Sequence, residues 1–174
     1  MREIGILENA AVLLDGERIS WIGRMEQLSM SSLNEMDVLD CLDKVVVPGF
    51  VDPHTHLLFA GSRDEEFAMR SAGATYREIA EGGGGILSTV RQVRASTKKE
   101  LKKQARRHLG GMLRHGTTTV EIKSGYGLDT ETEIRMLEAI NELKAEEVIS
   151  IVATFLGAHA VPPEYADRKR EYIH

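Results

Sequence analysis

The chain has 174 residues, 42% of them hydrophobic and 28% charged, which places it with globular proteins and excludes a disordered segment. Its 22 basic and 27 acidic side chains give a formal charge of −5, which argues against a dedicated nucleic-acid binder. One cysteine, Cys41, excludes an internal disulfide, and no apolar run is long enough to span a bilayer. The polar start MREIGILENAAVLLDGERIS has no secretory apolar region, so the expected setting is soluble, reducing and cytoplasmic.

In chain order, residues 10–14 and 18–22 are short apolar runs joined through Asp15-Gly16. That dipeptide predicts a hairpin, because glycine accepts the positive φ of the turn. Residues 29–40 carry no clear pattern. Val45-Val46-Val47 meets a break at Pro48-Gly49. Residues 1–48 therefore read as a small β unit, and 49–174 as a second domain.

In that second domain strands and helices alternate. Residues 50–54 are strand-like. Capping-box patterns at Thr75–Glu78, Thr97–Glu100 and Thr130–Glu133 predict three helix starts. Leu101, Ala105, Leu109, Met112 and Leu113 recur at helical spacing, ending at Gly116. Residues 117–122 are β-branched and strand-like. A helix over 130–144 carries Ile134, Leu137 and Ile140, and 148–156 is a nearly continuous apolar run, as in a strand covered on both faces. Strands separated by helices imply parallel pairing through right-handed crossovers. A parallel barrel needs eight strands over roughly 250 residues. The three strands here would make up less than half of one.

Pro53-His54-Thr55-His56 ends the first of these strands. A period of two puts His54 and His56 on one side, roughly 7 Å apart at Cα. Two imidazoles so placed can converge on one metal; equally, they can be two surface histidines after a core strand. A catalytic zinc takes three protein ligands and an open position. The sequence offers no convincing third. His108 falls on a helix face, His115 at a helix end, and His174 is the final residue. His159, in Gly157-Ala158-His159-Ala160, follows a strand and reads as a loop histidine or a site residue. Gly82–Gly85 lacks the Gly-Lys-Ser/Thr ending of a phosphate loop and suits a flexible hinge or a close approach to substrate. The basic helix with Lys98, Lys99, Lys102, Lys103, Arg106, Arg107 and Arg114 reads as a solvated outer face.

The segments VVVPGFVDPHTHLLFAGSRDEEF, GGGGILSTVRQVRA, GTTTVEIKSGYGLDTETE and FLGAHAVPPEY resemble the imidazolonepropionases of the amidohydrolase superfamily. PGFVDPHTH alone marks only the superfamily; KSGYG and GAHAVPPEY narrow it to the family. The resemblance runs from near Gly16 to Tyr165. It implies the N-terminal part of a metal-dependent-hydrolase (β/α)₈ TIM-like barrel, about three βα units, preceded by strands of a small β-sandwich. It implies hydrolysis of 4-imidazolone-5-propanoate to N-formimidoyl-L-glutamate in histidine degradation, with one Zn²⁺ or Fe²⁺/Fe³⁺ ion per complete site. By family pattern His54 and His56 are metal ligands. Arg63, Tyr126, His159 and, more weakly, Tyr76 bind substrate, and His159 is also the catalytic candidate. The bridging modified lysine of two-metal relatives is not carried onto Lys123. A homodimer is expected of the full-length protein.

These roles suit the residue chemistry. Arg63 offers a fork for the propionate, though a local pair with Asp64, Glu65 or Glu66 is the alternative. Gly125 and Gly127 let the backbone bend and present Tyr126, though a hairpin or loop aromatic packed on the core is the alternative. Asp43 stands in a turn where relatives often have glycine, and aspartate tolerates such angles. The remaining ligands and proton-transfer residues would lie beyond His174, so the 174-residue chain is expected to be inactive alone. Two other functions stay open. One is another cyclic amidohydrolase or a purine-type aminohydrolase. The other is a non-catalytic metal-binding fragment.

Overall fold

The computed structural model describes residues 5–29 and 36–173. The unpatterned stretch lies partly outside these, and His174 wholly so. The chain divides into two compact units, Met1–Val47 and Pro48–His174.

The first unit holds strands β1 (Ala10–Asp15) and β2 (Arg18–Arg24), paired antiparallel. Asp15 faces Arg18 across the turn, and Gly16 takes φ 57°, which glycine permits without strain. A register shift between Leu13 and Leu14 adds a bulge. Val45–Val47 forms no strand. Asp43 takes φ 58°, the left-handed angle that its turn was expected to need.

The second unit is a three-stranded parallel sheet in the order β3 (Phe50–Thr55), β4 (Thr117–Lys123), β5 (Ser150–Thr154). Between β3 and β4 run α1 (Asp64–Ser71), α2 (Tyr76–Glu81), α3 (Ile86–Ala95) and α4 (Lys98–Arg114). Helix α5 (Thr130–Glu146) joins β4 to β5, and α6 (Lys169–Ile173) follows. Among the described residues no helix is long and apolar enough to cross a membrane.

Thr75 and Thr97 cap α2 and α4 by the expected reciprocal boxes with Glu78 and Glu100. The third box does not form. Asp129, one residue earlier, caps α5 by accepting from the Thr132 N–H at 2.8 Å, and Glu133 turns elsewhere. The buried side of α5 is Thr132, Glu133, Met136, Ala139, Ile140 and Leu143; Ile134, expected on the apolar face, is exposed. Leu101, Ala105 and Leu109 of α4 pack against that side, against Val120, Ile122 and Ile151 of the sheet, and against Ile149 just before β5. The 148–156 run differs from expectation. Ile149 and Ile151 are buried, but Val152 is 53% and Phe155 67% exposed, so helices cover only one face.

Cations of α4 face anions of α5 and its end along a ladder. Lys98 bonds Glu138 (3.1 Å) and Glu142 (2.7 Å), and Lys102 bonds Glu142 (2.6 Å) and Glu146 (2.8 Å). Arg106 closes it on Glu146 and Glu147. Hydrogen bonds from Lys102 and Lys98 hold the Glu142 carboxyl well below its ordinary range, at about 2. A depressed carboxyl stabilises the fold above its unfolded value of 4.5 and loses that contribution as pH falls towards about 2. Glu142→Gln should therefore lower Tm at pH 7, and the difference from wild type should vanish near pH 2 and shrink in 1 M salt. A pH- and salt-independent difference in thermal melts would refute this account.

Candidate active site

The three parallel strands end at one edge, and the candidate residues collect there. His54 and His56 stand at the end of β3, Tyr126 in the turn after β4, and His159 in the loop after β5. The His54 and His56 rings lie 5.9 Å apart at 67°. His56 stacks on His159 at 4.6 Å and 10°, and Tyr126 closes the cluster at 5.2 Å from His56 and 5.6 Å from His159. Thr55 does point away, its hydroxyl donating to the Glu121 carbonyl at 2.6 Å.

A charged knot ties these strand ends together. The Glu121 carboxylate takes the Thr55 N–H at 3.2 Å and pairs with Lys123. Burial works against the Glu121 charge, but Lys123, Thr154 and Thr55 together outweigh it and hold the carboxyl below its usual range. Lys123 is thus committed to Glu121. Buried Ser124 accepts the Leu156 N–H at 3.0 Å and donates its own N–H to the Thr154 carbonyl at 2.9 Å, locking the turn after β4 to the one after β5.

The histidines can be tested for metal. The Nδ1 of His56 is buried and has no hydrogen-bond partner, an orphan that a metal would satisfy. Desolvation, then His159, His54 and Lys123, lower the His56 pKa against a weaker pull from Glu121. The neutral ring that results carries a free lone pair. His56 therefore fits as a nitrogen ligand, and the His54 ring stands beside it at 5.9 Å. Among the described residues, no group of three or more His, Cys, Asp or Glu could hold an ion by itself.

His159 Nδ1 lies 3.1 Å from the Gly125 carbonyl. A carbonyl only accepts, so Nδ1 carries the hydrogen and Nε2 is the free nitrogen. Burial raises the Tyr126 pKa, against a smaller opposing effect of the Arg63 charge, so the phenol keeps its proton as a donor. Arg63, the N-cap of α1, pairs with Glu66 through Nε (2.8 Å) and Nη2 (2.6 Å), the local alternative. Nη1 is left for another partner. Tyr76, on α2, is 63% exposed and stands outside the ring cluster.

The other histidines lie elsewhere. His108 stacks on Phe59 at 5.2 Å, and His115 ends α4 with Nδ1 2.8 Å from the Gly111 carbonyl. In the glycine run, the Gly85 N–H donates to Glu66 at 3.0 Å, and a Cβ at Gly84 would stand 2.7 Å from Ile79. The close approach seen at that run is to the chain's own Ile79. Sequence reading passed over Arg94 and Glu133. The signal for Glu133 was present: with Asp129 free to cap α5, the carboxylate of the apparent box was available for another task.

No family model matches the chain. Over 173 residues, 99% of its length, it is 50% identical to the imidazolonepropionase of Bacillus cereus (strain ATCC 10987 / NRS 248). It is 49% identical over the same span to those of Bacillus thuringiensis (strain Al Hakam) and Bacillus anthracis (strain CDC 684 / NRRL 3495). The similarity thus extends past the motifs to the whole chain. The chain spans 40% of the length of each of these relatives.

Proposed function

We propose that this chain is the N-terminal portion of an imidazolonepropionase, a hydrolase of histidine degradation that opens the ring amide of 4-imidazolone-5-propanoate to give N-formimidoyl-L-glutamate. The observation that carries the reading is the ring cluster at the ends of three consecutive parallel strands, seen in a chain half identical to proteins of that name. The β3–β4–β5 sheet is the first part of a (β/α)₈ barrel, whose active sites form at this edge. The uncovered face of β5 is the barrel interior, and later strands pair at the free edge of β5. The β1–β2 hairpin belongs to a small sandwich, and the complete protein is a cytoplasmic homodimer.

His54 and His56 hold one zinc or iron ion together with ligands from the rest of the polypeptide. The chemistry such an ion supplies is a nucleophilic water at neutral pH. The chain's own residues do the rest. Tyr126 donates its O–H to the substrate. His159, held by Gly125 at Nδ1, aims Nε2 at the reacting ring, and in its protonated form donates from Nε2 to the oxygen on which charge grows as the ring amide is attacked. Arg63 takes the propionate through its free guanidinium end.

The Arg63–Glu66 pair favours a second reading, a cyclic amidohydrolase whose substrate has no carboxylate. Assay of the complete protein separates the two. Under the first reading 4-imidazolone-5-propanoate is hydrolysed, a ring lacking the carboxylate is hydrolysed poorly, and Arg63→Ala raises KM for the propionate alone, by about 10-fold or more. Residues 1–174 alone should give no turnover. Equal rates on both rings, or an Arg63→Ala effect common to both, would favour the second reading.

A further inference from the structure

The turn after β4 is an unusual piece of backbone. Gly125 takes φ 106° and Leu128, a buried non-glycine, φ 54°. Such torsions in a bulky residue persist only where the surroundings over-determine them. Two side chains do so here, one on the amides of the turn and one on its carbonyls, and both meet at the Gly127–Leu128 peptide. Glu133, 4% exposed, accepts from the Gly125 N–H (2.9 Å to Oε2), the Gly127 N–H (2.7 Å to Oε1) and the Leu128 N–H (3.1 Å to Oε1). No ion pair among the described residues engages it. Arg94, at the end of α3, donates to the Gly127 carbonyl (Nε, 2.7 Å) and the Leu128 carbonyl (Nη2, 3.1 Å). It also pairs with Asp129 at 2.9 Å and, through Nη1, with Glu164 at 2.8 Å, downstream of His159.

We propose that Glu133 and Arg94 are positioning residues that clamp the Gly125–Leu128 turn, setting where Tyr126 presents its phenol and where the Gly125 carbonyl fixes the His159 ring. Glu133 removes the amide freedom of the turn, and Arg94 its carbonyl freedom. Gly125 gives its N–H to Glu133 and its carbonyl to His159 Nδ1, so one residue couples the buried carboxylate to the catalytic ring. An ordinary first-turn glutamate would serve its own helix end; α5 has Asp129 for that.

The kinetic part of this inference rests on the proposed ring hydrolysis, so the test adds a readout that needs no turnover. In the complete protein, Glu133→Gln sets an amide NH₂ against the Gly125 N–H. It should lower kcat/KM about 10- to 100-fold with metal content unchanged. In a His159→Ala background the same change should cost less than in wild type, because the share carried through that ring is already lost and only the share carried through Tyr126 remains. Nitrogen-15 spectra of labelled histidine should show the Nδ1–H form of His159 in wild type and its loss in Glu133→Gln. Arg94→Gln, altered at a half-exposed site, should reproduce these effects even where Glu133→Gln fails to fold. Normal kinetics per folded molecule, effects additive with His159→Ala, or an unchanged His159 tautomer would each overturn the clamp. A wild type that does not hydrolyse the ring would overturn the functional reading, and the nitrogen signal would still decide the clamp.

Discussion

His56→Ala in the complete protein should abolish bound metal and turnover together, whereas His159→Ala should lower turnover about 10²–10³-fold and leave the metal in place. The two rings are parallel and 4.6 Å apart, so proximity does not distinguish them. Their nitrogens do. His56 has a buried Nδ1 with no partner inside the protein, and removing the ring removes a ligand. His159 already spends Nδ1 on the Gly125 carbonyl and keeps only Nε2 for chemistry, where it donates when the ring is protonated. Loss of a single donor to a developing oxyanion costs about 10²–10³ in kcat. Loss of one ligand from a small set leaves the ion weakly held, and turnover should fall further than that. Metal analysis alongside kcat is the measurement. Equal loss of metal in the two variants would make His159 a ligand and end the division of labour drawn here.

What the sequence could disclose follows from the range of each interaction. The His-x-His pair needs only the two-residue period of a strand, so its common side was legible from four letters. The boxes at Thr75 and Thr97 are complete within four residues, and both formed. The box at Thr130 is equally local on paper, yet it lost. Glu133 found backbone donors five to eight residues upstream, in a turn whose shape depends on β4 and β5 lying side by side. Local propensity had no means of weighing that competitor. Arg94 was hidden for the same reason, since its partners lie more than 30 residues away. The apolar run before Phe155 failed differently. Its composition records a face meant to be covered, and helices cover only the other one. Tyr76 and Arg63 rest on resemblance, because their neighbours, an open surface and Glu66, do not by themselves suggest a pocket.

Gly125→Ala should disable the site, and Gly73→Ala should not, although both glycines sit at nearly the same torsion, φ 106° and 101°. A side chain at such an angle costs about 1 kcal/mol or more wherever it occurs. Gly73 has open space around its missing Cβ, so that cost is all it should show. At Gly125 the new Cβ would stand 2.8 Å from the Leu156 carbonyl oxygen and 3.0 Å from the His159 Cβ. Neither neighbour can yield cheaply. Leu156 is pinned by its N–H to Ser124, and its carbonyl already accepts the His159 N–H at 3.1 Å. Overpacking of this kind adds about 1–3 kcal/mol. The shift that relieves it must carry either the Tyr126 turn or the His159 loop away from the cluster, and a displacement of about 1 Å at a reacting group can cost about 100-fold. Thermal melts and kcat/KM on the two variants separate torsion from crowding. If Gly125→Ala is no less stable than Gly73→Ala and stays within a few-fold of wild-type activity, the close packing of the two loops does not position the rings.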